Sequence, residues 1–259
     1  MASEPVDPSL VRNTHAARGD GAIPREAIER SLQADGFAIL RGVVDPAAVR
    51  EAVSRLRAAF RAEDDHPTVG ESPADVRRNF QKLAVGTVQR AHPLQSYARL
   101  LRVIFTPFFA DDRYGVHVVL RPLAVLRNRL LGLGDDYAIG PIEGGVWTAA
   151  RIQHYPCGGG FLASHVDANS VAVSETRTGR YVQLLLAMTQ RGVDFERGGA
   201  YLERPTGRLD LEAGLRPGDV LVYDGRGTHG VADIDPHRVL DLRRLEGRLV
   251  GLVNLYEAR

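Results

Sequence analysis

The sequence predicts an α+β fold, with a mainly helical first half and an all-β second half that closes as a sandwich or barrel. Two observations carry this. Apolar residues recur at helical spacing in segments through Leu131, whereas from Gly144 onward short runs alternate with period two between glycine-rich turns. A third sets the scale: 259 residues, 44% hydrophobic and 25% charged, can bury a core without cross-links, and the lone Cys157 excludes an internal disulfide or a cysteine-rich zinc site.

Taken in order, residues 1–23 are rich in Ala, Pro, Gly, Ser and Asp without periodicity and are expected to be a flexible arm. Residues 24–259 then form a single domain, helical over 24–140 and β over 144–257. Pro24 stands at a first helical position, Ala27, Ile28 and Leu32 follow on one face, and Gly36 ends the pattern. Phe37 to Leu40 reads as a short buried strand. Asp45-Pro46 caps a second helix whose Val49, Val53, Leu56 and Phe60 share a stripe. Residues 62–80 are polar and broken by Pro67, Gly70 and Pro73, so a loop able to fold over a site is expected there. Leu94, Tyr97, Leu100, Leu101 and Ile104 predict another helix, and Leu123 to Leu131 one more, closed by the turn from Gly132 to Asp136. The β half follows as VWTAARIQHY, GFLASHV, YVQLLLAM, GAYLE, DVLVYD, THGVADI and RLVGLVNLY. Neither internal repeats nor low-complexity segments occur.

Charge narrows the function classes. Lys plus Arg total 33 against 32 acidic residues, so the basic excess of a nucleic-acid groove is missing. Lys82 is the only lysine; GxxxxGK[ST] does not occur, Schiff-base chemistry is disfavoured, and GxSxG is absent as well. No apolar run reaches the roughly 18 residues that span a bilayer, and charges stand where a signal peptide would need its apolar core. A cytoplasmic location is expected, with a small-molecule substrate and neither nucleic acid nor membrane as partner.

The chemistry-bearing residues lie in the β half. His165 and Asp167 stand two apart in SHVDAN, on one face of a strand running to its end. A chain with 8 histidines offers such a pair by chance about as often as not, so context decides. YPCGGGF before it reads as strand, hairpin turn and strand, and His229 in GDVLVYDGRGTHG follows on a later strand. Gly158 to Gly160 precede no helix, so the run is a turn and not a phosphate cradle. Two imidazoles and one carboxylate leave three adjacent positions of an octahedral metal open, a set suited to iron(II). Arg151, Gln153 and Tyr155 alternate with Ile152 and His154, and so polar a face implies a wet pocket. Trp147, His117 and His154 are expected to be structural.

These residues carry a resemblance. QHYPCGGGFLASHVD, GGAYLE, GDVLVYDGRGTHGV and GRLVGLVNLY resemble the double-stranded β-helix (jelly-roll) core of the iron(II)- and 2-oxoglutarate-dependent dioxygenases, in their phytanoyl-CoA-hydroxylase-like and prolyl-hydroxylase-like branches. DGFAILRGVVDPAAVREAVSRL is similar to the opening of the former branch, so the resemblance covers 35–60 and 145–257. It implies a jelly roll with N-terminal helices packed on one sheet, and His165, Asp167 and His229 as iron ligands. It also implies a basic residue at the start of the last strand that grips the far carboxylate of 2-oxoglutarate, helped by Tyr155, with Gln153 beside it. The implied activity is hydroxylation of an unactivated C–H bond of a small molecule, with iron(II), 2-oxoglutarate and O2 required and succinate and CO2 released.

Family spacing favours Arg238, nine residues after His229, as the carboxylate-binding residue. Local pattern favours Arg248, because Pro236 breaks any strand at Arg238, whereas Arg248 opens a period-two run and shares a face with Val250, Leu252 and Asn254. Arg248 is therefore expected, with residues 235–246 as an inserted loop. Two other readings use the same residues: a metal-dependent cupin-like lyase or isomerase without 2-oxoglutarate, and a non-catalytic ligand-binding barrel. Asp167 argues against a halogenating variant, which would carry a small residue there. Substrate contacts are expected from loops 62–80, 168–180 and 190–198.

Overall fold

The computed structural model describes residues 7–16, 23–66, 74–91, 94–142, 144–167 and 182–257. Twelve strands hydrogen-bond into one continuous sheet. Its path runs β1 (Thr14–Ala16), β2 (Phe37–Arg41), β10 (Val220–Tyr223), β7 (Gln183–Ala187), β12 (Gly247–Glu257), β5 (Val146–Pro156), β4 (Leu94–Phe105), β6 (Gly160–His165), β11 (His229–Ile234), β8 (Gly199–Arg204) and β9 (Gly207–Asp210). β3 (Phe80–Ala91) pairs with β4 outside that path, and β1–β2 is parallel. One strand serves both halves: Arg102 to Phe105 of β4 pair with β5, and its Arg99 and Leu100 pair with β6.

Period two explains the two cores. Phe37, Ile39, Leu185, Leu221, Tyr223, Val250 and Leu252 point inward and meet Ala200, Leu202, Leu209 and Val231 of the other half. The alternate residues Ala38, Leu40, Leu184, Leu186, Val220, Val222, Leu249 and Val253 form a second core with helices α2 (Arg25–Asp35), α3 (Pro46–Ala59) and α4 (His117–Leu131). A strand buried on both faces reads as an unbroken apolar run, as QLLLA and VLVY do. Local signals place the helices: Asp45 Oδ1 accepts the Ala47 N–H ahead of α3, and α2 ends at Gly36 in the left-handed region, φ 79°. No described helix is long and apolar enough to cross a membrane.

Three expectations are corrected. Residues 94–104 are strand and not helix: β3 and β4 form a long antiparallel hairpin within the segment expected to be helical. Leu101 to Phe105 are all buried, so the strand shows no alternation, and its leucines fall at helical spacing by coincidence. Within the expected arm 1–23, residues 8–12 form helix α1 (Pro8–Arg12), capped by Asp7, and β1 extends the sheet beside β2 with Leu10 buried. The third concerns the loops. Residues 168–180 and the centre of 62–80 lie outside the described residues, and the described parts of 62–80 and 190–198 do not line the cavity that holds the candidate site. Residues 190–198 precede Gly199, which pairs with Ala232 at the opposite end of β11 from His229.

Candidate metal centre

His165 closes β6 and His229 opens β11, and the two are register partners across that pair. Asp167 follows two residues beyond β6, its N–H donating to the Gly225 carbonyl at 2.8 Å. His165 Nε2 lies 3.9 Å from Asp167 Oδ1 and His229 Nε2 lies 3.7 Å from Asp167 Oδ2. One ligand atom from each of the three falls within 4.8 Å of the others, close enough to share an ion. Each imidazole donates from Nδ1 to the carbonyl two residues earlier, His165 to Ala163 at 3.0 Å and His229 to Gly227 at 2.8 Å. That assigns the proton to Nδ1 and turns the Nε2 lone pairs toward Asp167. Burial and the neighbouring His229 hold the His165 pKa well below its ordinary value, so this imidazole is a neutral donor at neutral pH. Tyr97 stacks on His165 at 4.8 Å between centroids, and Tyr223 packs edge-on to His229 at 4.7 Å.

Two residues outside the sequence expectation position this set. Gln95 of β4 clamps Val166, between His165 and Asp167: its Nε2 donates to the Val166 carbonyl at 2.8 Å and its Oε1 accepts the Val166 N–H at 3.1 Å. Gln95→Ala is expected to weaken metal binding by roughly 10- to 100-fold, as loss of an outer-shell partner does; anaerobic iron(II) titration checks it. Gly230, next to His229, is the second. A Cβ there would sit 2.4 Å from Tyr201 Oη and 2.6 Å from the Leu162 carbonyl. Gly230→Ala is expected to push β11 off β6 and cost about 1–3 kcal/mol, read as a lower urea midpoint together with weaker iron binding.

The three residues open into a cavity. Arg151, Gln153 and Tyr155 of β5 line it, with an apolar wall from Leu162, Leu185, Leu202, Leu221, Val231 and Leu252. Tyr155 donates to Gln153 Oε1 at 3.0 Å, and burial pushes its phenol up to about 12, so it stays a proton donor. His154, on the opposite face of β5, is buried among the outer strands and bonded to the Glu246 carbonyl; His117 bonds Thr106. Neither joins the cavity.

Arg248 faces Tyr155 across the β5–β12 ladder, its guanidinium carbon 5.4 Å from the Tyr155 ring. It is fully buried, and its Nε donates to Glu212 Oε2 at 2.8 Å, while Nη1 and Nη2 have no partner among the described residues. Glu212, in the short helical turn Glu212–Gly214, was not foreseen, since nothing near it in sequence points to Arg248. Gly247 permits this placement: at φ 120°, with a Cβ position 2.3 Å from the Tyr155 carbonyl, it lets β12 lie flush against β5. Arg238 sits instead in the loop between β11 and β12, with 43% of its side chain exposed, paired with Glu246.

No family model matches the chain, and no curated protein does. Among solved structures the chain is similar to the epimerase SnoN of nogalamycin biosynthesis, solved in complex with Fe3+, alpha-ketoglutarate and nogalamycin RO. That likeness has 15% identity and a TM-score of 0.53, and covers 90% of this chain and 83% of that one. It is similar to a Trichoplax adhaerens prolyl hydroxylase in complex with a hypoxia inducible factor peptide fragment, at 14% identity and TM-score 0.52, over 90% and 89% of the two chains. A third likeness, at 10% identity and TM-score 0.50 over 95% of both chains, is to an oxidoreductase of the 2OG-Fe(II) oxygenase family from Burkholderia pseudomallei. At these identities the resemblance is one of architecture: the chain has the fold of the iron(II)- and 2-oxoglutarate-dependent oxygenases.

Proposed function

We propose that the chain is an iron(II)- and 2-oxoglutarate-dependent oxygenase that hydroxylates an unactivated C–H bond of a small molecule. The observation that carries this is the pairing of two features around Tyr155. His165, Asp167 and His229 converge within 4.8 Å on a cavity that Tyr155 also lines, and against the Tyr155 ring the buried Arg248 holds two guanidinium nitrogens that have no partner among the described residues. The first fits a metal held by two neutral nitrogens and one hard oxygen. The second fits a carboxylate, which takes two parallel N–H donors from one guanidinium. A lyase or a plain binding barrel would explain the first feature and not the second.

Iron(II) bound there would supply the chemistry: oxidative decarboxylation of 2-oxoglutarate to succinate and CO2, coupled to transfer of one oxygen atom to carbon. The chain's own part is placement. His165, Asp167 and His229 would hold the ion. Arg248 grips the far carboxylate of the co-substrate, Tyr155 donates its hydroxyl proton as a hydrogen bond, and Gln153 orients Tyr155. The leucine-rich wall keeps water from the reacting carbon. Asp167 fills the position that a halogenating enzyme leaves open to chloride. Since the same fold serves an epimerase and a prolyl hydroxylase, the cavity and not the fold selects the outcome.

Purified protein given iron(II), 2-oxoglutarate and oxygen is expected to release succinate slowly, and faster when an accepted substrate is added. Tight metal binding with no succinate under any condition would favour the lyase or the binding barrel.

A further inference from the structure

The cavity is lined by an arginine to which the oxygenase reading gives no role. Arg151 is nine-tenths buried and lines the cavity with the three metal-binding residues. Among the described residues it makes no ion pair, and its one hydrogen bond is a long one, 3.4 Å to the Ala149 carbonyl. Its guanidinium carbon lies 5.9 Å from the Phe105 ring and 5.7 Å from the Tyr256 ring. A buried cation that lines a cavity without a carboxylate partner marks a place suited to an anion, since an unpaired charge is costly to bury.

Register separates this place from Arg248. Arg151 pairs with Leu252 and Tyr155 with Arg248, four residues along the ladder and about 13 Å of strand. Tyr223, which packs on His229, pairs with Gln183, one side-chain step along β7 from Leu185, the residue that pairs with Leu252. The metal site therefore lies toward the Arg151 end of the wall, and Arg248 enters from the other end.

We propose that Arg151 binds a carboxylate carried by the organic substrate, so that the enzyme acts on small organic acids and not on their neutral analogues. This rests on the oxygenase reading above and adds the substrate class to it. The anion would hold one end of the molecule beside the metal and set which carbon faces it.

The test uses protein loaded with iron(II) and 2-oxoglutarate without oxygen, so that binding is read and not turnover. Octanoate, phenylpropanoate and N-acetylphenylalaninate are titrated against their primary amides, and 2-oxoglutarate is titrated separately. Wild-type protein is expected to prefer at least one acid over its amide by about ten- to a hundredfold, the worth of a charge-assisted hydrogen bond. Arg151→Met should erase that preference and Arg151→Lys retain part of it, both leaving 2-oxoglutarate affinity within about threefold, the allowance for a site remote from Arg248. Absence of any acid preference in the wild type, its survival in Arg151→Met, or a loss of 2-oxoglutarate affinity in that variant would overturn the assignment. Failure of wild-type protein to bind 2-oxoglutarate at all would instead overturn the oxygenase reading.

Discussion

Replacing His165 or His229 by alanine is expected to abolish iron(II) binding and with it all succinate release. Each imidazole supplies one of only three protein donors, and the survivors would be one nitrogen and one carboxylate, a set that water displaces readily. The loss should exceed the roughly 10- to 100-fold that removing an outer-shell partner costs, which gives Gln95→Ala an intermediate place in the series. Folding should survive, because both rings sit at strand ends beside the cavity and their only other polar tie is a local carbonyl. Anaerobic titration followed by the visible band that 2-oxoglutarate induces on bound iron, beside urea unfolding of the same samples, separates the two effects. Full iron binding in either variant would remove that histidine from the site.

Arg248→Met should act on stability and on co-substrate affinity together. Losing the partner of a buried carboxylate costs on the order of 2 to 4 kcal/mol, or about 30- to 1,000-fold in apparent 2-oxoglutarate affinity. The same change strands Glu212, whose side chain is 2% exposed, and breaking a buried pair from one side costs about 3–5 kcal/mol of folding stability. The double variant Arg248→Met/Glu212→Gln should recover much of the stability, since glutamine still accepts the Ala200 N–H that Glu212 Oε2 now accepts at 2.9 Å. It should recover none of the affinity. Arg238→Ala, altering an exposed loop pair, should change neither appreciably; a large loss of affinity confined to Arg238→Ala would put the carboxylate on the loop.

The β half was legible because its chemistry is local. Period-two runs between glycine turns mark β5 to β12 from residue 146 onward, apart from the short β9, and the pattern of β5 turns Gln153 and Tyr155 into the cavity without further information. The His165, Asp167 and His229 set was legible as three residues at strand ends, though only register shows that the two histidines face one another. What escaped depends on partners far along the chain. β4 hid its strand character under burial on both faces, and Gln95 was lost with it, being read as part of a helix. Glu212 meets Arg248 across 36 residues, a distance at which no spacing rule operates. The unpaired state of Arg151 is likewise invisible in sequence, where acidic residues abound and only folding keeps them away.

The position of β12 sets the order in which the molecule can be completed. The strand farthest along the described chain is threaded between β7 and β5 in the interior of the sheet, its eleven rungs on β5 running from Gly247–Pro156 to Glu257–Val146. As the chain is synthesised, all three metal donors emerge while β5 and β7 still present open edges, of the kind prone to pair with foreign strands. Closure waits for a pairing across some 90 to 110 residues of chain, a non-local event that places folding in the slow, roughly millisecond-to-second class. Arg248 arrives only with that closing strand, so on the proposed function a nascent chain would acquire its metal donors before it could hold a co-substrate, and 2-oxoglutarate affinity would gauge whether the last strand has gone home.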